Sequence, residues 1–251
     1  MKKQHIPLRK LLILLTFIIV AMGVQSQTYV ALGYNAATPL KFQRFDYIID
    51  NYNYNHPNLT KTMEYINFLQ GFTMTSGYRY HGLFAEVSYR GATQTAEASY
   101  NDDNGFATTR ELRARFRTLD ISVGICAPFY DWNFFALGCG VSVGNFSVKT
   151  RSVASYATNA RWSDNLIRHG NTIFSYNFFV RYSPYGGLIC LEPYVSITPS
   201  KFLGIDMMAD LQSVNANLNP GTYQGSTEKL DAITGHAGMK IIVIIPFGKD
   251  E

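Results

Sequence analysis

The stretch Phe135-Ala136-Leu137-Gly138-Cys139-Gly140-Val141-Ser142-Val143-Gly144 alternates without a break between larger, mostly bulky apolar side chains and alanine, glycine or serine. A period of two sends successive side chains to opposite faces of a strand, so one face here is apolar and the other is small and weakly polar. A soluble exported barrel would turn its polar face to water and fill it with lysine and glutamate. This face carries no charge. Small side chains suit the crowded lumen of an eight-stranded barrel, and a bulky apolar face suits lipid.

The same alternation recurs along the chain. It predicts strands over Tyr29–Asn35, Phe68–Arg79, Gly82–Ala96, Thr108–Ala127, Asn133–Ser152, Thr172–Tyr182, Leu188–Thr198 and Ile233–Phe247. The connections alternate in length. Tyr80-His81, Pro128–Trp132 and Ser183–Gly187 are short, whereas 36–67, 97–107, 153–171 and 199–232 are long. A barrel with tight periplasmic turns and large extracellular loops has this asymmetry. The expected fold is therefore all-β, an eight-stranded antiparallel up-and-down transmembrane β-barrel with long extracellular loops and both termini in the periplasm.

The N-terminus supplies the route to that membrane. Lys2, Lys3, Arg9 and Lys10 precede an apolar run from Leu11 to Val24, and Val24-Gln25-Ser26 resembles a cleavage site. The run is too short to cross a bilayer as a helix, so residues 1–26 read as a signal peptide and 27–251 as the barrel. No cysteine follows the run to accept a lipid. The chain carries 22 basic and 18 acidic residues. Four of the basic ones belong to the signal, which leaves the exported part formally neutral and gives no reason to expect nucleic-acid binding. Charged residues make up 16%, against about 25% for ordinary soluble domains. Cys126, Cys139 and Cys190 lie in strand-like runs without metal-ligand spacing and read as buried free thiols. No cofactor or metal is expected.

Aromatic residues gather at the short-turn end. Tyr78, Tyr80, Tyr130, Trp132, Phe134, Tyr182, Tyr185 and Phe247 fit a periplasmic girdle at the lipid–water boundary. Certain stretches resemble the small outer-membrane β-barrel proteins of the Bacteroidota type, within the wider OmpA/OmpX-like set. They are Phe45-Asp46-Tyr47-Ile48-Ile49-Asp50 with Tyr52-Asn53, Phe68-Leu69-Gln70-Gly71-Phe72, Phe84-Ala85-Glu86-Val87-Ser88-Tyr89 and Leu191-Glu192-Pro193-Tyr194. The resemblance implies an outer-membrane location and the barrel fold, not one activity. Such proteins commonly end on an aromatic residue, whereas here Phe247 is followed by Gly248-Lys249-Asp250-Glu251.

Strand parity sends Glu86, Arg90, Asp120, Arg181, Glu192 and Lys240 into the lumen. Charges in a narrow, poorly hydrated space must pair, so they predict an ion-paired plug. A narrow porin-like channel for small polar solutes is the competing reading. Arg110, Arg113, Arg115 and Arg117 lie at the long-loop end of their strand. Arg117 stands about 27 Å above the turn at Pro128, at about 3.3 Å per residue and a tilt near 40°. These arginines are candidates to contact lipopolysaccharide phosphate, which the guanidinium fork suits.

Other motifs point away from catalysis. Gly140-Val141-Ser142-Val143-Gly144 matches G-x-S-x-G but sits mid-strand, where no nucleophile elbow can form. His236 near the rim could serve a hydrolase acting on outer-membrane lipid or protein, yet no partner is assignable. Asn101-Asp102-Asp103-Asn104-Gly105 lacks the spacing of a calcium loop and reads as a turn. The first and last long loops are apolar. Phe45, Tyr47, Ile48, Ile49 and Tyr52, with Phe202, Leu203, Ile205, Met207, Met208 and Leu211, should pack together above the barrel or meet a protein partner there. The sequence thus points to a non-enzymatic barrel with an envelope-structural or surface-interaction role, in contact with outer-membrane lipid and lipopolysaccharide.

Overall fold

Alternation over the predicted stretches does produce strands, and they close on themselves. A computed structural model describes residues 26–39, 43–80, 82–129, 133–156, 160–167, 172–185, 188–198, 212–219 and 235–247. The barrel strands are β1 (Ser26–Pro39), β3 (Leu69–Tyr80), β4 (Leu83–Asn101), β5 (Ala107–Phe129), β6 (Asn133–Ala154), β7 (Thr172–Tyr185), β8 (Ile189–Ile197) and β9 (Gly235–Phe247). The first long loop adds helix α1 (Gln43–Asn55) and a three-residue strand β2 (Leu59–Lys61), which pairs with β4. Helix α2 (Gln212–Leu218) lies in the last long loop. Among the described residues, no helix is long and apolar enough to cross a membrane.

All ring pairings are antiparallel, and β4 pairs with both β3 and β5, while β1 pairs with β9. The ring runs β4-β3-β1-β9-β8-β7-β6-β5 and returns to β4. Closure leaves no edge through the membrane height, so the backbone groups there bond to neighbouring strands. The register also sets the shape. Gln70 faces Ala36, Ala36 faces Met239, and Met239 faces Pro193. Across β7 the path continues to Leu137, Ile125, Leu83 and then Tyr80. It thus returns to β3 ten residues from its start, a stagger that tilts the strands by roughly 40°.

Burial is inverted relative to a soluble barrel. The interior holds Thr73, Thr75, Glu86, Ser88, Arg90, Asp120, Ser142, Asn177, Arg181, Glu192 and Lys240, all buried. The exterior carries exposed Leu32, Val87, Leu119, Ile121, Val123, Ile125, Val143, Phe178, Leu191, Val195, Ile241 and Val243. Exposing that much contiguous apolar surface to water is strongly unfavourable, whereas against lipid it costs nothing. The barrel is a transmembrane one. On β5, the ten steps from Phe129 to Leu119 rise about 25 Å at that tilt, matching the apolar band of such barrels.

Above this level the inside changes character. Ala92, Ala96, Ala98, Leu112, Ala114, Phe116, Phe146, Val148 and Ile173 continue the inward parity of their strands, but they are apolar. They form one core with Ile48, Ile49 and Tyr52 of α1, Met63 and Ile66 beyond it, Ile167 of the third long loop, and Val214 and Leu218 of α2. The first and last long loops therefore meet over the barrel mouth, where Asn51 Nδ2 also donates to Asn215 Oδ1 at 3.4 Å. Helix α1 forms because Ile48, Ile49 and Tyr52 recur at helical spacing and so share a buried face. Tyr47 falls on the opposite side of α1 and is exposed. The expected contributors 202–211 lie outside the described residues. So do 1–25 of the stretch 1–26 read as signal.

Candidate functional site

The lumen is filled by two stacked polar layers. In the layer nearer the short turns, Arg181 lies 2.8 Å from Glu86 and 2.5 Å from Glu192, and Lys240 lies 2.5 Å from Glu192. Tyr29 donates its hydroxyl to Glu86 at 2.7 Å. The Phe84 and Phe179 rings flank the Arg181 guanidinium at 5.6 and 5.5 Å, filling the space on that side. In the layer above, Arg90 lies 2.5 Å from Asp120 and also donates to Asn177 at 3.3 Å. Asn177 donates to Ser142 at 2.6 Å and accepts from Ser196 at 2.7 Å. The Tyr194 ring lies 4.7 Å beneath the Arg90 guanidinium, and its hydroxyl donates to Asn35 at 2.7 Å.

The structure thus brings Glu86, Arg90, Asp120, Arg181, Glu192 and Lys240 together as three buried acids against three buried cations. Parity named these six but missed their neutral partners Tyr29, Asn35, Ser142, Asn177, Tyr194 and Ser196. The signal was available, since each holds an inward position on its strand. Beside Arg90, a void of about 10 Å³ is bounded by Asn35, Thr118, Tyr194, His236 and apolar side chains. That is room for about one water molecule.

His236 is buried in the upper layer. Its Nε2 faces the Arg90 guanidinium at 3.4 Å, and its ring packs against Phe116 and Tyr194. Ser196 stands directly across the ladder from it, but that hydroxyl donates to Asn177. The two are not arranged as base and nucleophile. Ser142, the serine of the G-x-S-x-G match, is mid-strand and accepts from Asn177. Asp102 caps the Asn101–Gly105 turn, its Oδ1 accepting from the backbone N–H of Asn104 at 3.0 Å and of Phe106 at 2.8 Å.

The arginine row on β5 divides. Arg113, Arg115 and Arg117 point outward, opposite Lys149, Ser147 and Asn145 of β6. With Asn165 these six residues line a groove of about 270 Å³. Arg110 departs from the expected grouping. Its parity is inward, and it donates to Ser152 Oγ at 2.8 Å and to Asn217 Oδ1 of α2 at 2.7 Å. It therefore clamps α2 to the barrel and stands away from the groove. Cys139 departs as well: it is exposed on the outer apolar face, while Cys126 and Cys190 are buried.

At the short-turn end, Tyr182 and Phe247 are exposed and Tyr78 and Tyr80 half-buried. Thr28 pairs with both Tyr78 and Phe247, which places those two near each other on the outer face at the short-turn end. Tyr130 and Trp132 lie outside the described residues, and for Phe134 and Tyr185 only the backbone is described.

No protein-family model matches the chain, and no curated protein does. Similar solved structures are barrels. Ail, the attachment invasion locus protein of Yersinia pestis, in complex with the heparin analogue sucrose octasulfate, is 9% identical with a TM-score of 0.37, over 88% of this chain and 97% of that one. The Yersinia pestis outer membrane protein Ail in a phospholipid bilayer nanodisc gives 9%, 0.35, 88% and 99%. Neisserial surface protein A gives 11%, 0.34, 88% and 96%. Likeness at this level carries no argument about activity or ligand.

Proposed function

We propose that this is a non-enzymatic outer-membrane barrel that works through its outward surface, with the lumen serving as a structural plug. The observation that carries the reading is that buried side chains fill the lumen: two paired polar layers, the lower one flanked by the Phe84 and Phe179 rings, and the apolar core with α1 and α2 beyond them. A conducting pore would need hydrated, unpaired charge along its length, and here the lumen charges neutralise one another. The long-loop end is taken as the outward one, because outer-membrane barrels carry short turns on the periplasmic side and longer loops outside. That surface offers exposed Tyr47, Tyr54, Phe106 and Tyr156 to a protein partner. The outer-membrane lipid and its lipopolysaccharide are the second partner, met by Arg113, Arg115 and Arg117.

Planar-bilayer recording of the purified full-length barrel tests the plug. Silence, apart from rare brief openings, is expected. A steady open level would refute the plug and favour a narrow channel for polar solutes.

A further inference from the structure

On the outer face of β5 and β6, the surface changes chemistry at one height on both strands. Outward residues Ile125, Val123, Ile121 and Leu119 on β5 are exposed and apolar, as are Leu137, Val141 and Val143 on β6. Leu119 pairs with Val143, and the next outward pair is Arg117 with Asn145. From there upward the face is Arg117, Arg115 and Arg113 beside Asn145, Ser147 and Lys149. Among the described residues, none of the four cations pairs with a carboxylate. The acids Glu97 and Glu111 face each other one outward step beyond Arg113, and Arg151 already holds Glu111 at 2.8 Å. Asp164 is exposed on the covering segment described next.

The groove is walled as well as charged. Residues 160–167 fold back along β6, where Leu166 N–H donates to Val148 at 2.9 Å and Val148 N–H donates to Asn165 Oδ1 at 3.0 Å. This segment lays the Trp162 ring against the guanidinium of Arg113 at 3.9 Å and of Arg151 at 4.5 Å. One face of the Arg113 guanidinium is therefore covered by the ring, and Arg113 also lines the groove. Below, a shallow open depression lies on the apolar face, where Val123, Ile125, Leu137, Cys139, Phe178 and Val195 are among its lining residues.

We propose that this face binds one phosphorylated, acylated glycolipid of the lipid A type, with phosphate in the cationic groove and an acyl chain running down to the lower depression. The proposal rests on the outward orientation given above. From Arg113 to Arg117 the row is about 13 Å long, enough to hold two phosphates at once. From Arg117 to Val123 the descent is about 15 Å at the strand tilt, within reach of an acyl chain of ordinary length. Charge above and apolar depression below, on the same strands, fit an amphiphile and not a free anion. Arginine and lysine placed at the headgroup level lose little solvation and gain the phosphate.

The test uses Trp162 as its own reporter. The chain has two tryptophans, so Trp132→Phe leaves one signal. The full-length protein, folded in detergent, is titrated with lipid A, with dephosphorylated lipid A and with pyrophosphate. Lipid A is expected to shift the Trp162 emission saturably. Arg115→Ser with Arg117→Ser should weaken it at least tenfold, and Arg110→Ala should leave it unchanged. Cys139→Phe, which fills the lower depression without adding a second tryptophan, should weaken lipid A several-fold without altering pyrophosphate. Equal binding of dephosphorylated lipid, or pyrophosphate binding as tightly as lipid A, overturns the site. A barrel that stays heat-modifiable and non-conducting yet ignores lipid A refutes this inference and leaves the plugged-barrel reading standing.

Discussion

Glu192 is the place to test whether the lumen is a dry plug. Its side chain is fully buried, accepts from Arg181 Nε at 2.7 Å, and binds Lys240 at 2.5 Å. Replacing it by glutamine keeps the shape but removes the charge that balances two cations. Glu86 remains to neutralise Arg181, which leaves one positive charge in excess in a space without solvent. Removing one partner of a buried ion pair costs about 3–5 kcal/mol, because the other charge stays buried and uncompensated. Glu192→Gln should therefore lower the unfolding free energy by about that much, read from the urea midpoint of the barrel in lipid vesicles at unchanged m-value. Adding Lys240→Met removes the excess charge, and the double variant should recover more than half of the loss. A cost below about 1 kcal/mol for Glu192→Gln would mean that water already screens these groups. That result would refute the plug and predict measurable conductance.

Two further perturbations probe packing and the loops. A Cβ at Gly140 would stand 2.3 Å from the Ile121 carbonyl oxygen and 2.5 Å from Ser122 Oγ, so Gly140→Ala should cost about 1–3 kcal/mol by overpacking in the same urea assay. An unchanged midpoint would mean the strands are looser than described. In α1, burial and then the neighbouring Asp50 raise the Asp46 carboxyl above its ordinary value. A raised value in the folded state means that protonation favours the docked loop. Docking should be firmest below the ordinary aspartate range and weaken as pH rises through the raised value. Limited proteolysis within 43–67 should thus speed up between acid and neutral pH, and Asp46→Asn should remove that dependence. Faster cleavage at acid pH would contradict the sign.

Much of the barrel was legible because a membrane barrel writes its geometry as a period of two. Each predicted strand overlaps an observed one. The six lumen charges fell on the inward parity because lipid admits none of them on the other face. The departures have physical causes. Tyr29, Asn35 and Tyr194 join the lumen network, yet a tyrosine or asparagine in a strand carries no one-dimensional mark of its partner. Arg110 follows the inward parity at a height where the interior is open enough for a guanidinium to reach α2, which proximity in sequence to Arg113 concealed. Helix α1 is marked by the helical spacing of Ile48, Ile49 and Tyr52, inside a long loop read for its apolar content alone.

Alone, the sequence determined that there are two faces, eight strands and a long-loop end, since each follows from local alternation and turn length. Only the tertiary structure decided which side chains meet. The pairing of Glu192 with both Arg181 and Lys240, the meeting of the first and last long loops over one apolar core, and the joining of Arg113, Arg115 and Arg117 to Lys149 and Trp162 depend on register and closure. Those are set by the whole ring at once, because the stagger between each pair of strands must sum to a barrel that closes.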